Sequence, residues 1–185
     1  MKRFISTVLC LAVLVITALT ASSCGSSAPE KAITGYFEAL HNLDTEKLKK
    51  FSADGNTGTV DFSTLGDRAA LAKRVLYVTF TVTDDGIDES SAKDAVETVA
   101  KTSVSYIDCS ALFARINGEI SISGGEKTKL LAEALDKGEY QTKKADIDIV
   151  LVKQDGEWKI PLNNQKNSQL LNVLNVTYII KWIAE

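Results

Sequence analysis

Residues 143–162, KKADIDIVLVKQDGEWKIPL, decide the fold class. Ile147, Ile149 and Leu151 alternate with Asp146, Asp148, Val150 and Val152. A period of two belongs to a strand with one apolar side. Asp155-Gly156 then supplies a two-residue hairpin turn, because both residue types tolerate positive φ. A second strand, EWKIPL over 157–162, returns along the first.

Two strand signals lie upstream. YVTFTVTDDG, residues 77–86, is β-branched and aromatic and stops at a turn signal. AVETVAKTSVSYIDCSALF, residues 95–113, opens as a long strand, and Ser110 stands where it would cap a short helix, ALFARI. Helical spacing governs most of the rest. In PEKAITGYFEALHNL, residues 29–43, Ile33, Tyr36, Phe37 and Leu40 recur at helical intervals, with Pro29 and Glu30 at the entry. Asp44 is the expected N-cap of TEKLKKF, with Leu48 and Phe51 facing inward. SADGNTGT, residues 52–59, is a loop by composition, and a third helix is expected over 62–77 with Gly66 near its start. Residues 126–138 set Leu130, Leu131, Ala134 and Leu135 on one side of a helix, with Gly138 past its end. The apolar spacing of Leu170, Leu171, Leu174, Tyr178 and Trp182 predicts one long helix over 167–185. Helices first and long strands ending in a hairpin predict an α+β fold. N-terminal helices pack on a curved, mostly antiparallel, cone-like sheet, and an extra C-terminal helix completes it.

The N-terminal segment is read apart from the fold. Lys2 and Arg3 precede an almost entirely apolar run from Phe4 to Thr20, broken inside by Ser6, Thr7 and Thr17, and small residues Ala21-Ser22-Ser23 follow. A charged start, an apolar run and small residues at a cleavage point make a secretory signal. The run is also long enough for an uncleaved membrane-spanning helix, the alternative reading. Ser22-Ser23-Cys24 resembles the bacterial lipobox, although Ala21 stands where Leu is typical and Leu19 lies further back. That resemblance implies a lipid on the Cys24 thiol and a protein attached to the extracytoplasmic face of the cell membrane. Each buried methylene of such acyl chains contributes about 0.8 kcal/mol. Gly25-Ser26-Ser27-Ala28-Pro29 reads as a flexible tether. The expected organisation is signal peptide over 1–23, anchor and tether over 24–29, and one domain over 30–185.

The 185 residues suffice for one domain with a hydrophobic core. A net charge of −3 gives no reason to expect nucleic acid, which needs an excess of Lys and Arg. After loss of Lys2 and Arg3 the mature part is more acidic still, which predicts that it stands off an anionic membrane. Cys10, Cys24 and Cys109 are far apart, and with His41 as the single histidine no zinc spacing exists.

Three stretches together resemble a known superfamily: AITGYFEALHNLDTEKLKKF at 32–51, VSYIDCSALFARI at 104–116, and DIDIVLVKQDGEWKI at 146–160. They are similar to the nuclear-transport-factor-2-like (ketosteroid-isomerase-like) cone fold, in particular to lipoproteins of Gram-positive bacteria. The resemblance implies a curved sheet wrapped by helices around an apolar pocket. Members use that pocket for catalysis, small-molecule binding or protein contacts, so fold does not settle function. The isomerase members use an Asp base and a Tyr oxyanion donor. Those positions are not matched residue by residue in this sequence, and none is carried over.

Individual candidates read mostly as structure. His41 ends the first helix, where its imidazolium suits the dipole. Cys109 reads as a small core residue, with a nucleophile as the alternative. Asp84, Asp85, Asp88 and Glu89 form an acidic loop without the EF-hand register. Asp146 and Asp148 share one face of a strand, either the wet face or a carboxylate pair for acid–base work. The Asn175 sequon carries no weight in a bacterial lipoprotein. Tyr36, Tyr106 and Trp158, with Phe37, Tyr178 and Trp182, line a pocket or pack in the core. No catalytic set, cofactor or metal site is expected. The function expected is a membrane-anchored binding or interaction module that meets a small apolar ligand or an envelope protein. An isomerase- or dehydratase-like enzyme and a structural or assembly protein are the alternatives.

Overall fold

The computed structural model describes residues 27–53, 61–87, 94–123 and 126–185. The signal segment, Cys24, Gly25 and Ser26 lie outside the described residues, as do Asp88 and Glu89 of the acidic loop.

Helix α1 spans Ala28–Asn42. The Ser27 hydroxyl accepts the Glu30 N–H at 3.2 Å, and Pro29 sits in the first turn, where its missing N–H costs nothing. The helix therefore takes Ala28 and Pro29, which composition had assigned to the tether. Leu43, in the left-handed region at φ 57°, ends it. Asp44 caps α2, Thr45–Phe51, by accepting the Lys47 N–H at 3.0 Å. The Phe51 ring lies against Gly35 so closely that a Cβ there would overlap it.

The third helix is in two pieces. A 3-10 helix at Phe62–Arg68 is interrupted at Gly66, φ 50° and ψ −129°, and α3 follows at Ala69–Val75. Positive φ at Gly66 breaks the helical path that the apolar spacing suggested.

The sheet has strands β1 Thr79–Asp84, β2 Glu97–Ile107, β3 Thr142–Gln154 and β4 Glu157–Lys159, all antiparallel in the order β1-β2-β3-β4. It is a curved sheet, and the fold is α+β. Asp155 and Gly156 both take positive φ, 54° and 82°, as the primed hairpin turn requires. The returning strand is shorter than expected. Ile160 leaves the ladder to bridge Ser52, donating its N–H to the Phe51 carbonyl and accepting the Ala53 N–H. Asn167, fully buried, serves the β3 edge that β4 does not reach. Its Oδ1 accepts the Val150 N–H at 2.8 Å, and its Nδ2 donates to the Val150 and Pro161 carbonyls at 3.1 and 3.0 Å. Unpaired strand edges invite aggregation, and this side chain occupies one.

Two more expectations are corrected. The helix after β2 is not short: α4 runs Cys109–Ser123, and Asp108 rather than Ser110 accepts the Ala111 N–H, at 3.3 Å. Helix α5 occupies Lys127–Lys137 and ends at Gly138, φ 67°. The single C-terminal helix is α6, Ser168–Leu174, and α7, Val176–Ala184, jointed at Asn175 with φ 40°. Asparagine tolerates that region because its short amide can bond locally. The Arg68 guanidinium donates to the Ile183 carbonyl at 2.9 Å and to the Ala184 carbonyl, satisfying the last turn of α7 from another element.

Helices cover one face of the sheet, where Ala100, Val104, Ile147, Ile149 and Leu151 are buried. Phe37 stacks on Phe80 with centroids 4.6 Å apart, and Phe113 on Trp182 at 3.9 Å. Side chains fill the side on which the resemblance implied an apolar pocket. The other face carries Thr81, Lys101, Asp146 and Asp148, all exposed. Helix α1 crosses the sheet diagonally. Near its end His41 meets Tyr77, just ahead of β1, while Gly35 rests on Phe51, whose carbonyl binds Ile160 next to β4.

Candidate functional site

A crevice of about 140 Å³ opens where β2 hands over to α4. Tyr106, Asp108, Cys109 and Lys143 line its polar side, and Val75 and Ile179 its apolar side. The elements converge there for local reasons. β2 ends at Ile107, Asp108 starts α4, and the β2–β3 register sets Tyr106 opposite Lys143.

Asp108 is 8% exposed, and its Oδ2 lies 2.8 Å from Lys143 Nζ. The hydrogen bond from Lys143 holds the Asp108 carboxyl below its ordinary range, against the opposing effect of desolvation. The same bond raises the Lys143 ammonium. Burial, and then the Asp108 charge, push the Cys109 thiol up to about 12. Its Sγ–H is directed at the Ile107 carbonyl, 3.4 Å away. Cys109 is therefore a protonated core thiol at neutral pH, and the thiolate is the nucleophilic form. Ligand pockets commonly enclose about 300–1,000 Å³, so this crevice suits only a small group.

The aromatic candidates do not gather in one place. Tyr36 is buried, edge-on to Phe37 at 5.8 Å, and burial raises its phenol pKa. Tyr106 is half-buried at the crevice. Trp158 is buried beside the hairpin, with Lys153 Nζ 5.9 Å from its ring. Tyr106 pairs with Lys143 and Trp158 with Lys153, at opposite ends of β3 and so roughly 33 Å apart at the rise of a strand.

The remaining candidates have local partners. His41 lies edge-on to Tyr77 at 5.1 Å, and its Nδ1 is buried without a hydrogen-bond partner among the described residues. Asp84 and Asp85 accept the Gly86 and Ile87 N–H groups at 2.9 and 3.1 Å, which shapes the turn after β1. Asp146 accepts the Ser103 hydroxyl at 2.6 Å on the exposed face. Among the described residues no group of three or more His, Cys, Asp or Glu is placed to hold a metal ion. Open hollows of about 570 and 410 Å³ lie beside Arg115, Glu139 and Tyr140, and beside Lys101, Asp146 and Gln169. Asp108 and Lys143 were missed in the sequence. The available signal was the Asp that precedes the helix in SYIDCSALF.

No family model and no curated protein matches the chain. Among solved structures it is similar to the crystal structure of YcdA, an inferred lipoprotein of Bacillus subtilis, at 15% identity and a TM-score of 0.46. The similarity covers 77% of this chain and 54% of that one, so the chain spans about half of the neighbour's length.

Proposed function

We propose that this chain is a lipoprotein of the bacterial cell envelope. Lipid on Cys24 holds a nuclear-transport-factor-2-like domain at the extracytoplasmic face of the membrane, where it acts as a non-enzymatic binding or interaction module. The observation that carries the reading is the Ser27 cap of α1. Helix α1 begins there, so removal of residues 1–23 takes nothing from it. No helix among the described residues is long and apolar enough to cross a membrane, and attachment in this reading rests on Cys24.

Binding is favoured over catalysis because Asp108 is already closed on Lys143 and Cys109 is held as a thiol. The packed interior favours a partner protein at the surface over a small apolar ligand, which also leaves room for an assembly role. Helices on one face of an antiparallel sheet that ends in a hairpin support the cone-fold reading. Mass spectrometry of the native N-terminus tests the anchor: an acylated Cys24 as first residue is expected, and an intact Met1 or an unmodified Cys24 overturns it.

A further inference from the structure

The two ends of the sheet are built differently. At one end lie the β3–β4 turn and the start of β2. The N-terminus of helix α1 faces this end, because its later residues meet Tyr77 and Phe80 at the start of β1, beside the end of β2, while Gly35 stands beside Phe51 and the β4 side. Its first turn, Ser27 to Lys31, is the part farthest from Tyr77, with Pro29 buried and Lys31 exposed. At the other end β2 passes into α4 and the crevice opens. The 11 residues of β2 separate the ends by roughly 35 Å at about 3.3 Å per residue.

Only Gly25 and Ser26 stand between Cys24 and the Ser27 cap. Three Cα steps of about 3.8 Å reach at most about 11 Å. A tether of that length cannot lift a domain more than 30 Å long off a surface, whatever its net charge. The α1–β4 end is mixed in sign with an acidic excess: Lys31, Lys101, Lys153, Lys159 and Lys166 stand among Glu30, Asp84, Asp85, Asp94, Glu97, Asp155 and Glu157. Salt screens repulsion from an anionic surface within about 8–10 Å, and the lipid holds the end inside that range.

We infer that the lipidated protein stands on the bilayer, with the α1–β4 end against the lipid surface and the β2–α4 crevice end held away from it. The inference rests on the lipid at Cys24. It makes the crevice end, with Asp108, Lys143 and Gln141, the part that a soluble or envelope-bound partner reaches, and it closes the α1–β4 end to such partners.

The test uses the full lipidated chain in phosphatidylglycerol/phosphatidylcholine vesicles with one added cysteine, Lys31→Cys or Gln141→Cys. Cys24 is blocked by its lipid and Cys109 is buried, so the unsubstituted chain supplies the background. A bulky maleimide is expected to label Lys31→Cys about tenfold more slowly on vesicles than on the unlipidated Cys24→Ser domain, with Gln141→Cys unchanged. An insert of about ten Gly/Ser residues after Gly25, with an r.m.s. reach of roughly 17 Å, should restore the Lys31→Cys rate. Equal labelling of both positions on vesicles, with the lipid confirmed by mass, overturns the orientation alone. Absence of lipid from Cys24 overturns the anchor and the orientation together.

Discussion

Asn167 completes the hydrogen bonding of Val150 from both sides of the peptide, with Oδ1 2.8 Å from its nitrogen and Nδ2 3.1 Å from its oxygen. One side chain thus supplies what an adjacent strand would. Asn167→Leu leaves the Val150 N–H and the Val150 carbonyl unpaired in a dry place, while the Pro161 carbonyl keeps the Asn164 N–H at 3.0 Å. A loss of about 2–4 kcal/mol is expected, since each orphaned buried group costs about 1–3 kcal/mol and the site can relax. Urea unfolding should show a lower midpoint at unchanged slope, and an unchanged midpoint would show that water serves this edge equally well.

Gly35 and Phe51 give a second, signed prediction. Gly35→Ala alone should destabilise, because the new methyl overlaps the Phe51 ring. In a Phe51→Ala background the same change should stabilise by up to about 1 kcal/mol, the helix preference of Ala over Gly. Destabilisation of similar size in both backgrounds would refute the contact as the cause.

The Asp108–Lys143 pair sets a pH dependence with two limbs. The folded-state pKa of Asp108 is depressed, so its contribution is present above the unfolded carboxyl value, about 3.9, and is lost as pH falls through the lower folded value. The folded-state pKa of Lys143 is raised, so its contribution is present below about 10.4 and is lost as pH rises through the higher folded value. The stability difference between wild type and Asp108→Asn should be flat from about pH 5 to 9 and shrink below about pH 4. A difference that persists unchanged at acid pH would exclude the carboxylate as its source.

Cys109, with its thiol pushed up to about 12, should resist iodoacetamide at neutral pH in the native protein and react once the chain is unfolded. Rapid native labelling would show instead that the β2–α4 step opens readily.

Local chemistry was legible in the sequence and register was not. The alternation at 146–152, the Asp-Gly turn, the Asp44 cap and the Gly138 terminator each act within a few residues, and each appears where the sequence places it. The joint at Asn175 was hidden because the apolar spacing of α6 and α7 continues across it. Ser27, Ala28 and Pro29 suit a tether and a helix start equally, and only the Ser27–Glu30 bond separates the two. Asp108 and Lys143 meet through the pairing of β2 with β3, which no short window contains.

The parallel bridge between Ser52 and Ile160 has a consequence for the order of events during folding. Helices α1 and α2 come first in the chain, yet the backbone groups that fix the end of α2 belong to residue 160. Their landing site is made only after the Asp155-Gly156 turn has closed. Such distant pairing slows folding, because loop-closure entropy is lost before the contact is gained. The growing chain must therefore wait, incompletely folded, for its last quarter, with an apolar face of α1 still uncovered. That interval, rather than the finished fold, is when the protein most needs protection from aggregation.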